Sequence, residues 1–127
     1  MKNRWITARG LAAAFMLLVQ AALPGNIFAH TFPLRAEPRV GSKVAAAPAR
    51  VTIWFDGELE PAFSAITVTN AAKERVDKNN SRVDRANPNL MEVDLSPLPP
   101  GSYQVHWTAL SVDTHVTEGN FAFTVGP

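Results

Sequence analysis

Asp113 and His115 stand two residues apart in Ser111-Val-Asp-Thr-His115, and in this chain of 127 residues they are the pair whose types and spacing point most directly to chemistry. In an extended chain residues i and i+2 face the same side, so a carboxylate oxygen and an imidazole nitrogen can address one ion. The bland alternative is a turn that Asp113 caps, with His115 exposed or hydrogen-bonded to it. His30 moves the balance toward metal. If the chain is cut after Ala29, His30 becomes the first residue, and its α-amino nitrogen and ring Nδ1 can chelate one ion, since both groups hold their protons weakly at neutral pH. An amine, two imidazoles and a carboxylate oxygen form a tetragonal N,O set that suits Cu(II). A cut after Ala22 would destroy this site, and the bland reading of His30 is a frayed terminal histidine with no role. The third histidine, His106, falls on the strand face opposite Tyr103, Val105 and Trp107 and is the weaker ligand candidate.

The first 29 residues carry the layout of a secretory signal peptide. Lys2, Arg4 and Arg9 form a basic start, residues 11–19 (LAAAFMLLV) are an uncharged apolar run, and small or turn-forming residues follow. A membrane anchor needs about 20 apolar residues, and Gln20, Pro24, Gly25 and Asn26 interrupt the stretch too early. Two cleavage points compete, after Ala22 and after Ala29; the second is preferred because it creates the chelating terminus. The domain reading is therefore 1–29 signal peptide and 30–127 a single binding domain, exported and without a membrane span in its mature form.

Removing the signal changes what the composition means. The whole chain has 12 Lys+Arg against 11 Asp+Glu, and the signal holds three of the cations and no anion, so the mature net charge is −2. That balance gives no footing for a nucleic-acid partner. The chain has no Cys, which excludes a disulfide, a zinc ribbon and a thiolate nucleophile. Met1 and Met16 leave with the signal, and a lone Met91 argues against a soft thioether site for Cu(I).

The mature chain alternates like an all-β sandwich. Arg50-Val-Thr-Ile-Trp-Phe55 puts Val51, Ile53 and Phe55 on one face, and Ser64-Ala-Ile-Thr-Val-Thr69 does so with Ile66 and Val68. Leu90-Met-Glu-Val-Asp-Leu95 aligns Met91, Val93 and Leu95; residues 103–109 align Tyr103, Val105 and Trp107; residues 120–125 align Phe121, Phe123 and Val125. Trp54 is out of register and is expected to be half exposed or to cover a neighbouring loop. Ser96-Pro-Leu-Pro-Pro-Gly101 excludes a central strand because proline lacks the ladder N–H. The charged stretch 73–89 reads as a solvated, mobile loop or an edge hairpin.

Six pieces, in order, resemble the CopC-type family of periplasmic copper-binding proteins. They are His30 behind the signal peptide, Pro38-x-x-Gly41-Ser42, Ala47-Pro-Ala-x leading into the strand that ends at Phe55, Pro100-Gly-x-Tyr-x-Val-x-Trp107, Ser111-x-Asp-x-His115, and Gly119-x-Phe-x-Phe-x-Val125. The resemblance implies an immunoglobulin-like Greek-key β-sandwich with a Cu(II) site at His30, Asp113 and His115, in the periplasm, with a membrane copper transporter as a partner. Some members carry a Met-rich loop for Cu(I); residues 70–89 contain neither Met nor His, so a Cu(II)-only protein is expected. Members often place a Glu near the copper where this chain has Gly57, flanked by Asp56 and Glu58.

The leading function is thus a non-enzymatic copper protein of homeostasis or resistance that sequesters or delivers the ion. Two alternatives are weighed against it. One is a histidine-brace copper monooxygenase, which a short chain with an Asp at the position oxygen needs does not favour. The other is a secreted sandwich for protein contact without metal.

Overall fold

The computed structural model describes residues 31–127. Residues 1–29, read above as a signal peptide, and His30 lie outside the described residues.

Every strand expected from alternation is present. β1 (Pro33–Glu37), β2 (Lys43–Val44), β3 (Arg50–Phe55), β4 (Ala65–Asn70), β5 (Arg82–Val83), β6 (Leu90–Asp94), β7 (Gly101–Leu110) and β8 (Val116–Val125) follow one another, with a 3-10 turn at Pro61–Phe63 ahead of β4. They form two four-stranded sheets, ordered β1-β3-β6-β5 and β2-β8-β7-β4. The chain crosses between the sheets after β1, β2, β3, β4 and β6, so the fold is an all-β, immunoglobulin-like Greek-key sandwich. Pairing is antiparallel throughout except between β2 and β8.

The inward residues are those the alternation picked. Val51, Ile53, Phe55, Ile66, Val68, Met91, Val93, Leu95, Tyr103, Val105, Trp107, Phe121, Phe123 and Val125 are all buried. Facing sheets meet through an edge-to-face contact of Phe55 and Trp107, with ring centroids 5.3 Å apart. Gly119 lies across from Trp107 in the β7–β8 ladder, where a Cβ would come within 2.6 Å of the indole Cζ2, so the strand can pass the ring only without a side chain. Trp54 is half-buried on the outer face, with the Arg35 guanidinium 3.9 Å from its ring centroid.

Two expectations change. Strand β8 begins at Val116, four residues before the 120–125 stretch that alternation identified, because its first half pairs with β7 out to Leu110. Of the two readings of the charged stretch 73–89, the mobile loop gives way: β5 forms an edge hairpin with β6, and the residues before it are a strap tied at several points. The outer edge of β4 donates Ile66 N–H to Ser81 Oγ at 2.8 Å, Val68 N–H to Asp77 Oδ2 at 2.8 Å and Asn70 N–H to Glu74 O at 2.9 Å. Covering the edge in this way satisfies donors that would otherwise invite another strand. The chain then reaches the other sheet through an Asp77–Leu95 bridge and the pairing of β5 with β6.

Candidate metal centre

The turn joining β7 to β8, residues 111–115, carries both candidate ligands of the described chain. Thr114 N–H donates to Ser111 O at 2.9 Å and Ser111 N–H donates to His115 O at 3.0 Å, which closes the hairpin. Thr114 takes φ 75°, a left-handed conformation in which a β-branched residue is strained. Asp113 and His115 therefore meet across a tight turn and not along an extended strand, as i, i+2 spacing suggested. His115 Nδ1 stands 3.2 Å from Asp113 Oδ1, and the His115 N–H donates to the same oxygen at 3.4 Å.

Ser111 organises the pair. Its side chain is almost fully enclosed, and its hydroxyl donates to Asp113 Oδ1 while lying 3.2 Å from the His115 carbonyl. The Ser111 hydroxyl does most to hold the Asp113 carboxyl below the usual carboxylate range; burial pushes the other way, and the His115 ring and N–H add to the lowering. Among the described residues every hydrogen bond to the Asp113 carboxylate lands on Oδ1. An ionised carboxylate with an oxygen to spare, beside an imidazole, is chemically fit to receive a divalent cation; both side chains are at least a third exposed. Sequence reasoning noted Ser111 only as part of a motif, and its spacing of two from Asp113 was the available signal.

The start of the described chain arrives at the same end of the sandwich. Thr31 is buried, and its carbonyl accepts a hydrogen bond from Thr117 Oγ1 at 2.8 Å, two residues past His115. Phe32 N–H donates to Asp56 Oδ1 at 2.7 Å, and Asp56 N–H donates back to Phe32 O at 3.0 Å. Of the two acids flanking Gly57, then, Asp56 holds the incoming chain. Glu58 takes part through its backbone, its carbonyl accepting from Val112 N–H at 3.3 Å. A Cβ on Gly57 would lie 3.0 Å from Thr31 Oγ1, so the glycine leaves room for this approach.

Among the described residues no three His, Cys, Asp or Glu side chains come together as a metal-holding group; Asp113 and His115 are a pair, and His30 is outside the described residues. His106 is not part of it. Its Nδ1 lies 2.9 Å from Asn120 Oδ1 and its Nε2 3.9 Å from Glu118, on the exposed outer face of β7. Four strand positions separate it from Leu110, on the order of 13 Å.

The chain is 32% identical over 126 residues to the copper transport protein CutJ of Bacillus subtilis, covering 98% of this chain and 22% of CutJ; it thus spans under a quarter of that relative. In structure it is similar to CopC from Methylosinus trichosporium OB3b, with TM-score 0.72 and 35% identity over 77% of this chain and 95% of that one. It is also similar to PcoC, a methionine-rich copper resistance protein from Escherichia coli, with TM-score 0.66 and 32% identity over 77% of this chain and all of PcoC, a coverage of 100%. The sequence profile of the CopC domain matches residues 34–126. With nearly the whole described sandwich matched, this chain belongs to the CopC family.

Proposed function

We propose that residues 1–29 are a signal peptide and that the remaining chain is a periplasmic Cu(II)-binding protein which sequesters copper or hands it to a membrane copper transporter, without catalysing a reaction. The observation that carries this reading is the Asp113–His115 pair, an ionised carboxylate 3.2 Å from an imidazole at the end where the chain enters at Thr31. With His30 as the new terminus, the donors would be its amine and ring, Asp113 and His115. Nitrogen and carboxylate ligands favour the oxidised ion. In contrast to the methionine-rich PcoC, the mature chain keeps one methionine, and Met91 is fully buried in the core. It has no place in a Cu(I) site. Family relatives named for copper transport and copper resistance support the cargo.

The test is a titration of protein beginning at His30 with Cu(II) against a competing chelator. Sub-micromolar binding, lost when one extra residue precedes His30 or when His115→Ala is introduced, is the expected result. Micromolar or weaker binding, or the same affinity in His115→Ala, would overturn the proposal. Mass spectrometry of the exported protein checks the cut: a mature chain starting at residue 23 removes the amine ligand.

A further inference from the structure

A metal ligand at a chain terminus carries a built-in disadvantage. Terminal residues fray, and ordering them when the ion binds costs conformational entropy that subtracts from affinity. Here the two residues next to His30 are already held from both sheets. Asp56, directly after β3, grips the Phe32 N–H with Oδ1 at 2.7 Å, and its own N–H returns to Phe32 O at 3.0 Å. Thr117, in β8, donates its hydroxyl to the Thr31 carbonyl at 2.8 Å. Thr31 is buried, and the absence of a side chain at Gly57 lets it settle there. We infer that Asp56 and Thr117 are positioning residues which clamp the backbone of Thr31 and Phe32 and so deliver the nitrogen donors of His30 to the Asp113–His115 turn before copper arrives.

The inference rests on the copper reading for its purpose but not for its geometry. A carboxylate accepting from a backbone N–H forms one of the stronger hydrogen bonds, and it fixes position as well as energy. Pre-ordering raises affinity by removing part of the cost of binding, so its loss appears mainly as faster release of the ion. Neither Asp56 nor Thr117 needs to touch the metal for this effect.

The experiment uses protein beginning at His30 and two readouts. In the first, without metal, hydrogen exchange at the Phe32 amide is slow in the wild type and fast in Asp56→Ala. In the second, Cu(II) affinity and release rate are measured against a competing chelator. Asp56→Ala weakens affinity about tenfold and Thr117→Val, which removes only the hydroxyl, about threefold to tenfold. Asp56→Asn keeps an acceptor oxygen and restores most of the loss, and Glu58→Gln changes nothing. Fast exchange at Phe32 in the metal-free wild type would overturn the clamp, as would wild-type affinity in both Asp56→Ala and Thr117→Val. If Asp56→Ala fails to fold, Thr117→Val and Asp56→Asn carry the comparison. Should the wild type bind no Cu(II), the copper reading fails, while the exchange measurement still decides whether the clamp exists.

Discussion

Asp77 and Asp113 are both held below the ordinary carboxylate range, and the ways in which that happens separate a residue that builds the fold from one available for chemistry. Asp77 has a fully enclosed side chain in the strap between β4 and β6. Burial pushes its carboxyl up, but the Arg75 side chain and the Val68 and Asn79 N–H groups together outweigh that push. Both of its oxygens are engaged, Oδ1 by Arg75 and Asn79 and Oδ2 by Val68 and Arg75. Asp113 is exposed, takes its hydrogen bonds from Ser111 and His115 on Oδ1 alone, and lies in a turn strained at Thr114. A carboxylate whose acceptor capacity is used up holds chain together; one with an oxygen to spare can take an ion.

That contrast can be broken by substitution. The largest effect is expected for His115→Ala, which should lower Cu(II) affinity by about a hundredfold or more, beyond the loss typical of a group that only orients a ligand, with little change in the thermal midpoint; chelator competition and calorimetry check both halves. Asp77→Ala should do the reverse. Leaving the buried Val68 N–H without an acceptor costs about 2 kcal/mol of stability, read by urea unfolding, and copper affinity should stay within about twofold of the wild type.

Acid sharpens the same point. Because the folded carboxyl of Asp77 sits below its unfolded value of ~3.9, its contribution to stability is complete above that value and is lost as pH falls through the folded one. Urea midpoints measured between pH 6 and pH 3 should therefore drop below about pH 4, and less steeply in Asp77→Asn. A smaller effect is expected for Ser111→Ala, which removes the donor holding Asp113: affinity should fall about tenfold. If it does not, the hydroxyl serves the hairpin and not the ligand. His106→Ala, on the outer face, should leave both stability and affinity near the wild type.

Much of the sandwich was legible because burial on one side imprints period two. Strand β3 runs over the six residues that alternation marked, Arg50–Phe55, and the core faces of β4, β6, β7 and β8 all follow. The elements that escaped are those without a buried face of their own. In β1 only Ala36 is buried, and β2 and β5 are two residues each, too short to show a pattern. Residues 73–89 looked solvated because their charges were counted without their partners. Asp77 is enclosed by backbone N–H groups that composition cannot reveal. The candidate site divides in the same way: the spacing of Asp113 and His115 was informative, but the turn that joins them depends on Thr114 and Ser111, and the grip of Asp56 and Thr117 on the incoming chain left no local signature.

The sequence by itself determined the inventory: no thiol, one core methionine, three histidines, and alternating strands that must close into a sandwich to bury their apolar faces. Those limits follow from residue type and period, which are local properties. Only the tertiary structure decided that Thr31, Asp56, Ser111, Asp113, His115 and Thr117 share one end of the molecule. Contacts spanning 24 residues, from Phe32 to Asp56, and 86 residues, from Thr31 to Thr117, form because the strands between them pack, and no pattern within either segment encodes the other.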